Sequence, residues 1–238
     1  MKQTETLVLV PGLMCDDTVW SQQIATCSAG RVVQVAEHAE CDTLGAMAER
    51  VLDRAPPRFA LAGNSMGGRV ALEVMARAPQ RVSRLALLDT GHEALAQGEA
   101  GEREKAGRYR LLEMARRDGM LVMARDWAQG MVHPARLSDA ILMDAIHSMI
   151  ARATVAQFAA QISALLARPD RTDLLDDLRL PTLVLCGRDD SWSPLSQHED
   201  MARRIKARHL VGVPDCGHMS TMERPEAVTE ALLDWLES

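Results

Sequence analysis

Between residues 59 and 76 the chain runs from an apolar stretch, Phe59-Ala60-Leu61-Ala62, through Gly63-Asn64-Ser65-Met66-Gly67 into a helical pattern, Arg69 to Ala76. A serine at the apex of so sharp a strand-to-helix turn needs neighbours nearly free of side chain, because strand and helix must approach each other there. Gly63 and Gly67 meet that need, and Gly68 adds room. The turn strains the serine backbone and lifts its oxygen clear of the sheet edge, where a carbonyl can reach it. This is the pattern of a nucleophile elbow. A phosphate loop is the competing reading of a glycine-rich turn, but it requires Gly-Lys followed by Ser or Thr, and Arg69 and Val70 stand there instead.

Around the elbow, short continuous apolar runs alternate with helical patterns. Thr6 to Val10 reads as a strand ended by Pro11-Gly12, Trp20 to Ala25 as a short helix, and Arg31 to Val35 as a second strand. Asp42-Thr43 offers an N-cap to an amphipathic helix with Leu44, Met47, Ala48, Val51 and Leu52 on one face. Leu85 to Leu88 is a fourth strand after the elbow helix. From Glu93 to Arg179 only helical patterns occur; strands resume at Thr182 to Cys186 and His209 to Val213, and a last helix starts at Pro225. Continuous rather than alternating apolar runs predict a mostly parallel, six-stranded, doubly wound α/β sheet covered on both faces. The expected division is a core of residues 1–91 and 181–238 with a helical cap inserted at 92–180.

Composition narrows the function. A net charge of −6 without a basic cluster excludes nucleic acid as the expected partner. No apolar run reaches the roughly 20 residues of a membrane span. The first strand is too short for a signal-peptide core and passes into a turn, so a cytoplasmic location is expected. The five cysteines are scattered and lack a Cys-x-x-Cys spacing, which points to reduced thiols without a structural zinc site. No Asp, His or Glu cluster has metal-ligand spacing, so neither metal nor cofactor is expected. Aromatic content of 3% beside 14 methionines leads us to expect a pocket lined by methionine and leucine rather than rings, favouring short to medium acyl chains.

Three features at matching places carry a family resemblance: Pro11-Gly12-Leu13 with Trp20, the elbow at Ser65, and Asp190 followed by His218. The chain resembles an α/β-hydrolase from end to end, and most of all the small capped carboxylesterase and lactonase branch that includes pimeloyl-carrier-protein methyl ester esterases and enol-lactonases. The chain order Ser, Asp, His is the one this fold uses. Two departures are visible. Pro11-Gly12 replaces the usual His-Gly, and there are no residues for the customary N-terminal antiparallel hairpin.

The resemblance implies roles with physical reasons behind them. Ser65 needs a base within hydrogen-bond reach, and His218, just past the last strand in a Gly-His, is the one histidine of seven with the right position and order. Its orienting acid is to follow the strand ending at Cys186. Asp189 and Asp190 compete; the family's Gly-x-x-Asp with proline four residues on fits Asp190 and Pro194, leaving Asp189 as a turn residue bonding its own backbone. Asp89, at the end of the fourth strand, is a third contender. The family geometry assigns the oxyanion hole to the backbone N–H groups of Leu13 and Met66, with Gly12 allowing close approach. Gly12, Met14 and Met219 are candidate substrate contacts, and Asn64 and Cys216 receive no role. The expected activity is cofactor-free cleavage of a small ester or lactone. Carbon–carbon bond hydrolysis, a lyase or haloperoxidase-like reaction on the same residues, and a ligand receptor of this fold are the alternatives.

Overall fold

Runs that are apolar without alternation become strands buried on both faces. The structure is a computed structural model describing residues 5–238, so the expected lead-in at Met1 to Thr4 lies outside the described residues. Strands β1 (Leu7–Val10), β3 (Phe59–Asn64) and β5 (Thr182–Gly187) are buried at every position, whereas β2 (Val33–Val35) and β6 (His209–Val213) are partly exposed. With β4 (Val82–Leu88) they form one sheet in the order β2-β1-β3-β4-β5-β6, so the partly exposed strands are its edges. Every pairing is parallel, with Leu9 opposite Ala62 and Leu87 opposite Val184. The expected parallel α/β sheet is present, and no antiparallel strand precedes β1 among the described residues.

Helices close both faces. In chain order they begin with α1 (Ser21–Cys27), α2 (Leu44–Arg54) and α3 (Met66–Arg77). Thr43 caps α2 by accepting from the Ala46 N–H at 3.0 Å, and α2 turns Leu44, Met47, Ala48 and Val51 inward, as the spacing predicted. A helical insertion follows β4: α4 (Glu99–Asp118), α5 (Met120–Trp127), α6 (Ala140–Ala151), α7 (Val155–Leu166) and α8 (Thr172–Asp177). Thr154 and Gln157 form a reciprocal capping box that starts α7. After β5 come α9 (Leu195–Ile205), α10 (Ser220–Glu223) and α11 (Pro225–Glu237), the last with proline at its first position.

The core is one apolar cluster reaching from Leu7 through the sheet to Trp235 and into the insertion at Ile146 and Phe158. Burying each large side chain of this kind contributes about 1.5–3 kcal/mol, so the central strands anchor everything attached to them. Topology decides where chemistry can sit. The chain starts at β1, crosses to the β2 edge and then returns to β3 on the other side of β1. The crevice at such a reversal, beyond the carboxyl ends of the strands, is where doubly wound sheets bind ligands. Gly12 follows β1 there and Ser65 follows β3.

Candidate active site

Ser65 holds φ 55° and ψ −118°, a backbone conformation that costs a non-glycine residue of order 1–3 kcal/mol. Its surroundings enforce it. The Ser65 N–H donates to the Leu88 carbonyl at 2.8 Å, and the Thr90 hydroxyl donates to the Ser65 carbonyl at 2.6 Å. A Cβ on Gly67 would stand 2.0 Å from the Val10 carbonyl oxygen, and one on Gly63 2.3 Å from the Gly67 carbonyl oxygen. The two glycines are therefore a packing requirement of the turn.

The raised hydroxyl meets an aligned pair. Ser65 Oγ lies 2.8 Å from His218 Nε2, and His218 Nδ1 lies 2.7 Å from Asp190 Oδ2. The other Asp190 oxygen accepts from the Trp192 and Ser193 N–H groups at 2.8 and 2.9 Å, which fixes the carboxylate plane. Burial alone would lower the His218 pKa, but the charge of Asp190 and the hydrogen bond to it outweigh burial and hold it above the usual histidine value. A neutral His218 donating from Nδ1 leaves Nε2 free to take the Ser65 proton.

The other acids fall elsewhere. Asp189 is exposed and accepts from the Cys216 N–H at 3.4 Å, so it ties two loops together instead of bonding its own turn. Asp89 is fully buried and does not touch His218 through a hydrogen bond. It accepts from the Asn64 side-chain amide at 2.8 Å, from the Gly187 N–H at 3.2 Å and from the Ser220 hydroxyl. Burial, then the nearby charge of Asp190, push its pKa up to about 8. It links the elbow, the strand leading to Asp190 and the segment after His218. Sequence reasoning missed this knot and the part Asn64 plays in it.

The first and third loops supply donors. Met66 opens α3, and among the described residues neither its N–H nor that of Leu13 donates to a protein acceptor. Gly12 packs against Ser65: a Cβ there would lie 3.3 Å from Ser65 Cβ. A cavity of about 420 Å³ opens over Ser65, and Gly12, Leu13, Met66, His218 and Met219 all border it. Met14 does not. It sits at φ 59° with its N–H donated to Gln161 Oε1 at 2.9 Å, and it lines a second cavity of about 720 Å³ behind the loop.

The expectation of a ring-poor pocket is overturned. Phe158, Trp127 and Trp192 form a continuous aromatic wall, with centroids 6.0 Å apart for the first pair and 5.7 Å for the stacked second pair. Trp192 then lies 5.0 Å from the His218 ring. Few aromatics are present, yet three converge here because the insertion and the Asp190 loop meet over the serine. Methionine and leucine do contribute, through Met66, Met131, Leu111 and Leu165. All five cysteines are free, and among the described residues no group of metal-binding side chains could hold an ion. No helix among them is long and apolar enough to cross a membrane.

A six-stranded parallel sheet, a helical insertion after its fourth strand and a strained serine between strand and helix together define the α/β-hydrolase fold. The sequence model of the alpha/beta hydrolase family matches residues 7–231, and the chain belongs to that family. It is 27% identical to a pimeloyl-[acyl-carrier protein] methyl ester esterase from Aromatoleum aromaticum, over 92% of this chain and 93% of that one. A thermophilic esterase from Thermogutta terrifontis superposes with a TM-score of 0.85 at 31% identity, covering 98% of this chain and 89% of the other. The enol-lactonase from Burkholderia xenovorans shares the fold with a TM-score of 0.83 at 22% identity, over 99% and 92% of the two chains.

Proposed function

We propose that the protein is a serine hydrolase that cleaves a small carboxylic ester or lactone through an acyl-enzyme. The observation that carries this is the unbroken chain Asp190–His218–Ser65, with 2.7 and 2.8 Å links, ending on a strained hydroxyl that faces a cavity. Ser65 Oγ attacks the ester carbonyl while His218 Nε2 takes its proton, and Asp190 holds the imidazole in the tautomer that allows this. The carbonyl oxygen becomes an oxyanion between the Leu13 and Met66 N–H groups, which need no reorganisation to receive it. His218 returns the proton to the leaving alcohol. Water then repeats the sequence on the acyl-enzyme, freeing the acid and restoring Ser65.

The esterases among its relatives support the reading at the level of reaction class. In this scheme residues 1–91 and 181–238 are the catalytic core, residues 92–180 are a cap that shapes the substrate pocket, and Gly12 and Met219 contact the substrate. A fluorophosphonate probe tests the nucleophile: covalent labelling of the wild type that disappears in Ser65→Ala is expected. Ester turnover should disappear with it. An unlabelled wild type that turns over no ester would mean a receptor, and faster turnover of a diketone than of any ester would mean carbon–carbon chemistry.

A further inference from the structure

The cavity over Ser65 has two unlike ends. Near the serine its wall is apolar and aromatic, but beyond it stand five arginines; Arg103 and Arg110 are paired with Glu99 and Asp126 at 3.1 and 3.0 Å, which leaves Arg69, Arg108 and Arg168. Glu104 is the one acid lining this end. Arg168 grips both its oxygens at 2.8 Å, and Arg108 donates to one of them at 2.9 and 2.8 Å. That pairing pulls the Glu104 carboxyl down to about 2, despite its burial, and absorbs one of three positive charges.

Arg69 is left over. Half-buried, it makes no ion pair within 4 Å among the described residues. Its single hydrogen bond runs from Nη1 to the Glu93 backbone carbonyl at 2.8 Å. Its Nη2 packs over Gly91, itself part of the cavity wall. Burial, then the neighbouring Arg168, hold its pKa down to about 9, while the charges of Glu104 and, more weakly, Glu93 act in the opposite sense. At neutral pH Arg69 thus remains a cation in surroundings that disfavour charge. Holding the Glu93 carbonyl needs only a neutral donor, so the charge is unexplained by the fold.

Position makes it useful. Arg69 lies on α3 four residues beyond Ser65, about 6 Å along the axis, so it faces the same cavity one turn away. We propose that the site is built for an ester carrying a carboxylate a few carbons from the scissile bond, with Arg69 as the anchor for that carboxylate. The inference rests on the serine-hydrolase reading for its chemistry but not for its binding. The aromatic wall covers the apolar middle of such a substrate, and the guanidinium meets the planar carboxylate as a two-donor fork.

The test compares monomethyl half-esters of straight-chain dicarboxylic acids, from succinate to suberate, with the corresponding dimethyl esters. We expect the wild type to favour at least one half-ester by tenfold or more in kcat/KM, with the advantage shrinking in high salt. Arg69→Gln should bring the half-ester to diester ratio near one, and Arg69→Lys should restore part of it. Binding is read separately on Ser65→Ala, where calorimetry should show the half-ester held at least tenfold tighter than the diester. That arm reports on the anchor even if no ester is turned over, so failure of the hydrolase reading is distinguishable. Equal or better handling of the diesters by the wild type at every length would overturn the proposal. So would an Arg69→Gln ratio equal to that of the wild type, or a preference for a phosphonate-tailed ester over every half-ester.

Discussion

At Asp190 and Asp89, two carboxylates stand close to one histidine, and burial and partner choice give them different tasks. Asp190 presents one oxygen to His218 Nδ1 and has the other pinned by backbone amides, so it can fix the ring's tautomer and balance the positive charge that forms. Asp89 spends its oxygens on Asn64, Gly187 and Ser220. Asp190→Asn is therefore expected to lower kcat by about 10⁴-fold through the wrong tautomer. Asp89→Asn keeps the shape of the knot and should cost no more than about 10²-fold, the scale of a misplaced rather than a missing catalytic group. Steady-state kinetics on one ester decides; the reverse order would move the acid to Asp89. The pH dependence has a definite sign. His218 acts as a base only when neutral, and Asp190 holds its pKa above the ordinary value near 6.5, so kcat/KM should rise with pH along a limb centred above 6.5. A limb at or below 6.5 would mean that Asp190 does not support the ring. The three residues of this chain could be read from the sequence because each is tied to a short local pattern. Asp89 stood out only as a competing acid, and its knot could not be read, because its partners Asn64, Gly187 and Ser220 are brought together only by the folded sheet.

The elements that carry these residues differ in how they are held. Strand and elbow are over-determined, since Gly63 and Gly67 admit no side chain and Thr90 locks the serine carbonyl. Continuous apolar runs made this part of the fold legible before any contact was known. The loop after β1 is held more lightly. Met14 adopts φ 59°, a region a non-glycine side chain resists, and its N–H is satisfied by one side chain from the insertion, Gln161 on α7. Leu13, the proposed oxyanion donor, is the preceding residue. Gln161→Leu keeps the volume and removes the acceptor, leaving a buried N–H unpaired at a cost of about 1–3 kcal/mol. The loop should relax, and kcat should fall by about tenfold with KM little changed, because the donor acts on the transition state and not on the bound ester. A rise in KM at constant kcat would assign Gln161 to substrate binding. No sequence pattern announces this contact, since a glutamine on an amphipathic helix reads as ordinary polar surface.

Across the whole molecule, the insertion and the sheet meet at the histidine loop. The His218 N–H donates to the Met131 carbonyl at 2.7 Å, so the base is seated directly on the segment after α5. Glu223, 1% exposed, completes the joint: one oxygen accepts from the Gly217 and Met219 N–H groups at 3.0 and 3.2 Å, the other from the His133 N–H at 2.8 Å. The same convergence places Trp127 and Phe158 over the serine, which a count of aromatic residues cannot foretell, because composition averages over the chain while the fold concentrates. Removing the carboxylate in Glu223→Ala would leave three amides, from both sides of the joint, without an acceptor. Partial rescue by water limits the loss to about 3 kcal/mol rather than the full sum for three orphaned groups. For a chain of this size that corresponds to a fall in Tm of about 6–12 °C by calorimetry. Glu223→Gln keeps one acceptor oxygen and should lie between the two. Activity should fall with stability in Glu223→Ala, because the loop that loses its anchor carries His218. A variant that melts like the wild type would show that packing, and not this carboxylate, joins the insertion to the sheet.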